Sequence, residues 1–333
     1  MKLTRSERFF GATVSLAAMV AVAGCSSASY EVDPTDSAQT DSVPSVVVTT
    51  TILGSVVSDI VICSVGDDSS VTVMMPLGAD PHDFQASSAQ VAQMATADLI
   101  VTNGLGLEEG VMDAIENIGA DSGAVMEIAS LVDPLPFGDA DEHADEEDVR
   151  GHSEFDPHFW LDMERMARAA ELIGTELALT GGTAYDTCGQ SVAAEIRSAE
   201  QDVISTLDEI PEVDRILVTD HDALGYFAHR YDFRIVGVVI PGGSTLGETN
   251  SQELADLVAT MTTEGVVAIF GDTATSSELL EVLASELDQE VRVIQLYVGS
   301  LGGPHSGAET YQEMMRTNAL MIAQGLLGRN LGE

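Results

Sequence analysis

The feature that most constrains this fold is an alternation, made twice along the chain, of short apolar runs with segments of helical length. In the first series Ser45 to Thr51, Val71 to Met75, Asp98 to Thr102 and Ala124 to Glu127 read as strands, Val- and Ile-rich as a group and bounded by Gly, Asp or Pro. Leu53 to Cys63, Ala86 to Ala95 and Glu108 to Ile118 lie between them with helical periodicity. The second series places strands at Arg215 to Thr219, Arg234 to Val239, Val266 to Phe270 and Val291 to Leu296, with helices between. Strands that alternate with helices run parallel and bury both faces of their sheet under the crossovers. The expected fold class is therefore α/β: two lobes, each a four-stranded, mostly parallel sheet flanked by helices.

Between the two series, residues 183–210 carry a different pattern. Tyr185, Val192 and Ala199 recur every seven residues, as do Gly189, Ile196 and Val203, giving one apolar seam and an acidic outer face. A helix of that span is about 40 Å long, enough to run the length of a domain, and Pro211 ends it. It reads as a rigid connector, with an ordinary surface helix of the first half as the alternative. The chain of 333 residues then divides into a first lobe at 45–182, the linking helix at 183–210 and a second lobe at 211–333.

Residues 1–24 belong to neither lobe. Lys2, Arg5 and Arg8 form a basic start, Phe9 to Ala23 an apolar stretch too short for a membrane span, and Val22-Ala23-Gly24-Cys25 a small-residue close. That ending resembles the lipobox of bacterial lipoproteins, which implies export and a lipid anchor on Cys25; an ordinary signal peptide with a chance cysteine is the alternative. Residues 25–44, rich in Ser, Thr, Asp and Pro, read as a tether. Loss of the leader removes three positive charges and one negative, and moves the net charge from -42 to -44. Such a chain repels nucleic acid and anionic lipid, which excludes a nucleic-acid role. Lys2 is the sole lysine, so phosphate-loop and Schiff-base chemistry are excluded as well. Cys63 and Cys188 remain, and export permits a disulfide between them as readily as two buried thiols.

Three segments share a composition. Asp80-Pro81-His82-Asp83-Phe84 follows the second strand, Asp156-Pro157-His158-Phe159-Trp160 sits near the middle of the chain, and Asp220-His221-Asp222 follows the first strand of the second series. Open parallel sheets gather ligands at the carboxyl ends of their strands, and imidazole suits zinc, copper, iron and nickel. The acids beside the rings, Asp80, Asp156, Asp220 and Asp222, can aim each imidazole by bonding its other nitrogen. A lone histidine near an aromatic is usually structural; two Asp-Pro-His-containing segments plus a strand-end histidine favour a metal site. Residues 138–154 are dominated by Asp and Glu and include His143 and His152, a composition for a mobile loop and an auxiliary metal-gathering segment.

These segments, together with Asn103-Gly104-Leu105-Gly106-Leu107-Glu108, Pro241-Gly242-Gly243-Ser244-Thr245 and Gly307-Ala308-Glu309-Thr310-Tyr311-Gln312-Glu313-Met314-Met315, resemble the zinc- and manganese-binding lipoproteins that deliver metal to ABC importers. The resemblance covers the chain from Val46 onward. It implies two α/β lobes joined by a long helix, a metal between them, and first ligands at His82, His158 and His221. Manganese members usually present a carboxylate at the third position, so His221 favours Zn2+ over Mn2+. At the fourth position the family generally has an aspartate before the Ser-Leu-Gly turn, and this chain has Gly299 before Ser300-Leu301-Gly302. A water, Asp272 or His305 could complete the set, with Asp272 standing where the family often has glutamate. His229 reads as a surface residue, and the Asn103 to Glu108 turn as structural.

The expected function is capture of Zn2+ by a monomeric, lipid-anchored protein on the outer face of the cell membrane, with delivery to an ABC permease and its ATPase and no catalysis. Binding is expected to weaken as pH falls through about 6.5, where histidine protonates. Two other classes fit parts of the sequence: a zinc hydrolase with a three-histidine site, and a surface adhesin with incidental metal.

Overall fold

The computed structural model describes residues 43–122, 124–137 and 154–328. The leader with Cys25 lies outside the described residues, as do most of the tether and the histidines His143 and His152. Each apolar run becomes a parallel strand. In the first sheet β1 (Val46–Val48), β2 (Val71–Val73), β3 (Leu99–Thr102) and β4 (Val125–Glu127) stand in the order β2-β1-β3-β4. Val46 pairs with both Val71 and Leu99, and Ile100 with Val125. Helices α1 (Thr51–Val65), α2 (Ser88–Met94) and α3 (Met112–Ser122) make the crossovers.

Before the second sheet come α4 (Met163–Gly181) and α5 (Ala184–Leu207). The second sheet repeats the topology of the first: β5 (Ile216–His221), β6 (Arg234–Ile240), β7 (Ala268–Asp272) and β8 (Arg292–Leu296) stand in the order β6-β5-β7-β8, again parallel. Its helices are α6 (Gly225–Tyr231), α7 (Ser251–Glu264), α8 (Glu278–Ser285) and, at the end, α9 (Tyr311–Leu327). The fold class is the expected one. Each sheet changes winding direction between its first and third strands, the point where open sheets leave a crevice at the carboxyl ends.

The seam read from the heptad pattern is the buried face of α5: Tyr185, Gly189, Val192, Ile196, Ala199 and Val203 are all buried. At 24 residues α5 is about 36 Å long, and it packs on α1, α4 and α9. The largest apolar cluster consequently runs from Val46 and Val56 through Ile196 to Phe270 and Met314, shared by both sheets. Smaller clusters lie elsewhere, one around Met94 and Ile100 and one around Leu257, Met261 and Leu283. The two cysteines left open by the sequence form a disulfide, Cys63–Cys188, that fastens α1 to α5. Among the described residues no helix is long and apolar enough to cross a membrane.

Helix α4 is an element the sequence reading did not single out. Its buried side mixes Met166, Ile173 and Leu177 with the small residues Ala167, Ala170 and Gly174. The small residues let backbone meet backbone: a Cβ added to Gly189 would stand 2.7 Å from the Ala170 carbonyl oxygen.

Candidate metal centre

His82 comes from the loop after β2, where Asp80 accepts the His82 backbone N–H at 2.9 Å. His158 lies at the start of a short 3-10 turn, Phe159–Leu161, and the following Asp162 caps α4 by accepting from the N–H groups of Glu164 and Arg165. Strand β5 ends two residues later than expected, which makes His221 its last residue. The three side chains are 2%, 1% and 2% exposed.

They converge. Ring centroids are 5.4 Å apart for His82 and His158, 5.8 Å for His82 and His221, and 5.4 Å for His158 and His221. Each offers a ring nitrogen within 4.8 Å of the others, and the Nε2 atoms of His82 and His158 are 3.3 Å apart. Two nitrogens on one tetrahedral zinc, each about 2.0–2.1 Å from it, stand roughly 3.3–3.4 Å from one another. The spacing fits a shared cation.

Two of the rings are aimed by acids. Asp156 Oδ1 lies 2.8 Å from His158 Nδ1 and accepts its backbone N–H at 2.9 Å. Asp220 Oδ1 does the same for His221, at 2.9 Å and 2.8 Å, while its Oδ2 accepts from the Asp272 backbone and from Thr275 Oγ1. A ring whose Nδ1 carries the proton toward a carboxylate keeps the Nε2 lone pair for a metal. Asp80 and Asp222, the other two acids read from the sequence, make no such ring bond among the described residues.

Electrostatics separates the three rings. Burial, with the neighbouring imidazoles His158 and His221, pushes the His82 pKa down to about 3. Burial likewise holds His158 well below its usual range. Burial also acts to lower His221, but the hydrogen bond and charge of Asp220, with the charges of Asp272 and Asp80, outweigh it and raise His221 above 6.5. Burial pushes Asp156 up to about 8 against its bond from His158.

The site is braced from several segments. Asn103 Nδ2 donates to the Pro157 carbonyl, Tyr226 Oη donates to the Asp156 carbonyl, Trp160 Nε1 donates to the Val298 carbonyl, and Tyr311 Oη donates to the Trp160 carbonyl. Glu108, read as structural, is buried and accepts from Thr49 Oγ1 and from the backbone N–H groups of Asn103 and Gly104. Gly104 has φ 86°, and a Cβ there would strike the Glu127 side chain, so the turn requires glycine.

The alternatives for a fourth ligand are placed differently. Asp272 is buried, but it does not join the three-histidine group. Its Oδ1 accepts from the N–H groups of Ala274 and Val298, and its Oδ2 from that of Gly299. A Cβ on Gly299 would stand 2.8 Å from Pro81 Cδ and 2.9 Å from Asp272 Oδ2. The Asp272 carboxylate thus borders the space that a residue-299 side chain would enter. His305 is exposed with φ 69°, and His229 is exposed on α6; neither approaches the cluster. One neighbour of the site went unread in the sequence: Glu109, whose Oε1 lies 3.8 Å from His82 Nδ1. It follows Glu108 in a turn that reads as structural, and its proximity is created by folding.

Two doubly wound sheets with three convergent, buried imidazoles fit one class, the metal-binding substrate-binding proteins. The family described as zinc-uptake complex component A, periplasmic (ZnuA), matches residues 46–325, and the chain belongs to it. Members are metal-binding components of ABC metal transporters. Among its relatives, the manganese-binding lipoprotein MntA of Halalkalibacterium halodurans is 27% identical over 290 residues, 84% of this chain and 88% of the relative. The zinc-binding protein TroA of Treponema pallidum is 27% identical over 298 residues, 87% and 91% of the two chains. The solved structure of that periplasmic zinc-binding protein superposes with a TM-score of 0.73 at 26% identity, covering 86% of this chain and 99% of its own. The metal ABC transporter substrate-binding lipoprotein FimA of Streptococcus parasanguinis is 23% identical over 278 residues, 82% and 87%.

Proposed function

We propose that this protein captures Zn2+ with His82, His158 and His221 and delivers it to an ABC permease driven by its ATPase, without catalysing a reaction. The observation that carries this is the convergence of three buried imidazole nitrogens, two of them backed by carboxylates. Buried neutral imidazole favours zinc over harder cations, and His221 occupies the position where a carboxylate would suit manganese. The fourth position is read as open to water, because Gly299 has no side chain and the Asp272 oxygens already accept backbone hydrogens. We read the chain as a monomer, divided into lobes at 45–182 and 211–333 by the helix at 183–210 and held to the membrane by lipid on Cys25. The His-bearing segment 138–154 is read as a metal-gathering loop.

Mn2+ is the second reading, favoured by the manganese-binding relative MntA. A hydrolase is disfavoured, because rings exposed by 2% or less leave no room for an organic substrate at the metal. The deciding experiment measures metal content and competition affinity of the mature protein purified without added metal. Zinc at one per chain, tighter than manganese and lost in His158→Ala, is expected; a higher affinity for manganese reverses the choice of metal.

A further inference from the structure

We propose that Glu109 is the positioning acid of His82, and that the Ser244-Thr245 turn holds it as a clasp linking the first-sheet and second-sheet parts of the chain. The inference rests on the three histidines holding the cation. An imidazole that gives its Nε2 lone pair to a metal carries its proton on Nδ1, and the bound charge makes that N–H a stronger donor. For His158 and His221 the acceptors are in place at 2.8 Å and 2.9 Å. His82 differs: its Nδ1 is buried with no hydrogen-bond partner among the described residues. Glu109 Oε1 lies 3.8 Å away, on a side chain that is 43% exposed. A shift of about 1 Å brings that oxygen within range of a charge-assisted bond.

Glu109 does not stand alone. Ser244 Oγ, from the turn after β6, donates to the same Oε1 at 2.6 Å. The next residue, Thr245, donates through Oγ1 to Asp80 Oδ2 at 2.5 Å, and Asp80 in turn accepts the His82 backbone N–H through Oδ1. The Phe137 ring lies where a Cβ on Gly243 would be. One turn of the second-sheet part therefore grips both Asp80 and Glu109. When His82 binds the cation and Glu109 moves to accept its Nδ1–H, the turn is drawn in with it, so loading of the site and closure of the clasp are one event. Opening the turn loosens the ring and releases the ion.

The test compares Glu109→Ala, Glu109→Gln and Ser244→Ala with the unaltered protein, reading zinc affinity by chelator competition, zinc release by rapid mixing with excess chelator, and the ring-nitrogen NMR signals of the three histidines. Glu109→Ala is expected to weaken zinc binding by roughly 10- to 100-fold, the usual range for losing the acid behind a ligand histidine. Glu109→Gln should recover part of it, because an amide oxygen still accepts. Ser244→Ala should speed release with a smaller change in affinity. The signal of His82 should move in Glu109→Ala while those of His158 and His221 stay. Unchanged affinity and release in Glu109→Ala overturn the proposal, as does an equal disturbance of all three rings. If Glu109→Ala does not fold, Glu109→Gln and Ser244→Ala decide, and wild-type release rates in both overturn it. Failure of the unaltered protein to bind zinc is a separate result that removes the proposed function itself.

Discussion

Gly299 bears on both the site and its packing. An aspartate cannot simply be placed here, since a Cβ at residue 299 meets Pro81, next to His82, and the Asp272 carboxylate, both inside 3.0 Å. Gly299→Asp would also set two carboxylates side by side in a buried place. It is expected to lower stability by about 1–3 kcal/mol, the range for overpacking, and to weaken zinc binding by displacing Pro81. Adding Asp272→Ala should restore part of the zinc affinity by removing the clash and the like charge. Thermal midpoints and zinc titrations of the single and double variants check this; a single variant as stable as wild type refutes it. The imidazoles carry a second prediction at the same scale. His82 and His158 have depressed pKa values, so both stay neutral well below 6.5 and offer little proton competition there. His221 is raised, so its proton competes with the metal already above 6.5. Zinc affinity should start to fall at a higher pH than an ordinary histidine would dictate. For the fold the signs differ: the stability that His82 and His158 contribute as neutral groups is present above 6.5 and lost as pH falls, for His82 toward about 3. The contribution of His221 is complete below 6.5 and lost as pH rises through its raised value. Competition titrations from pH 8 to 5 read the metal part, and an affinity flat across that range contradicts it.

Among the elements, α5 is the one on which α1, α4 and α9 are packed. Its heptad seam was legible because Tyr185, Val192 and Ile196 are large enough to mark a face. The strands were legible for a related reason: short Val- and Ile-rich runs bounded by Gly, Asp or Pro have few other uses. Helix α4 was not singled out, although Met166, Ile173 and Leu177 mark its buried face; what could not be read is its close contact with α5, because Ala170 and Gly174 signal contact only once the partner helix is known. That close contact gives a prediction. Gly189→Ala places a Cβ 2.7 Å from the Ala170 carbonyl oxygen and should cost about 1–3 kcal/mol by forcing α4 and α5 apart, despite alanine being the better helix former. Urea unfolding measures it, and an increase in midpoint excludes the contact. The disulfide acts on the same helix from its other neighbour. Cys63 and Cys188 are 125 residues apart, so the bridge limits a long loop of the unfolded chain. Replacing both by serine should cost about 2–4 kcal/mol, read from the same unfolding curves; no change would mean the bridge is redundant to the packing of α1 on α5.

At the scale of the whole molecule, the three histidines could be named from the sequence because each sits in a recognisable local setting. Their contacts could not: Glu109 and Ser244 are 135 residues apart, and although Asp272 and Gly299 both stood out at the fourth position, only packing makes the hydrogen bond between them across 27 residues. The same long-range assembly means that the three-histidine cluster exists only in the folded chain, since His82 follows β2, His158 precedes α4 and His221 ends β5. Zinc should therefore stabilise the protein by mass action, by about 4 kcal/mol at a thousandfold excess over the dissociation constant, or on the order of 10 °C in midpoint. The net charge of -42 offers a competing explanation, because any cation relieves repulsion among so many carboxylates. The two effects separate cleanly. Relief of repulsion would follow ionic strength, appear with magnesium as well as zinc, and survive His158→Ala. Stabilisation through the site saturates at one zinc per chain, persists in high salt, and vanishes in His158→Ala. Melting curves with zinc, with magnesium and with added salt, run on both proteins, distinguish them, and a zinc shift that His158→Ala retains in full would place the ion elsewhere on the acidic surface.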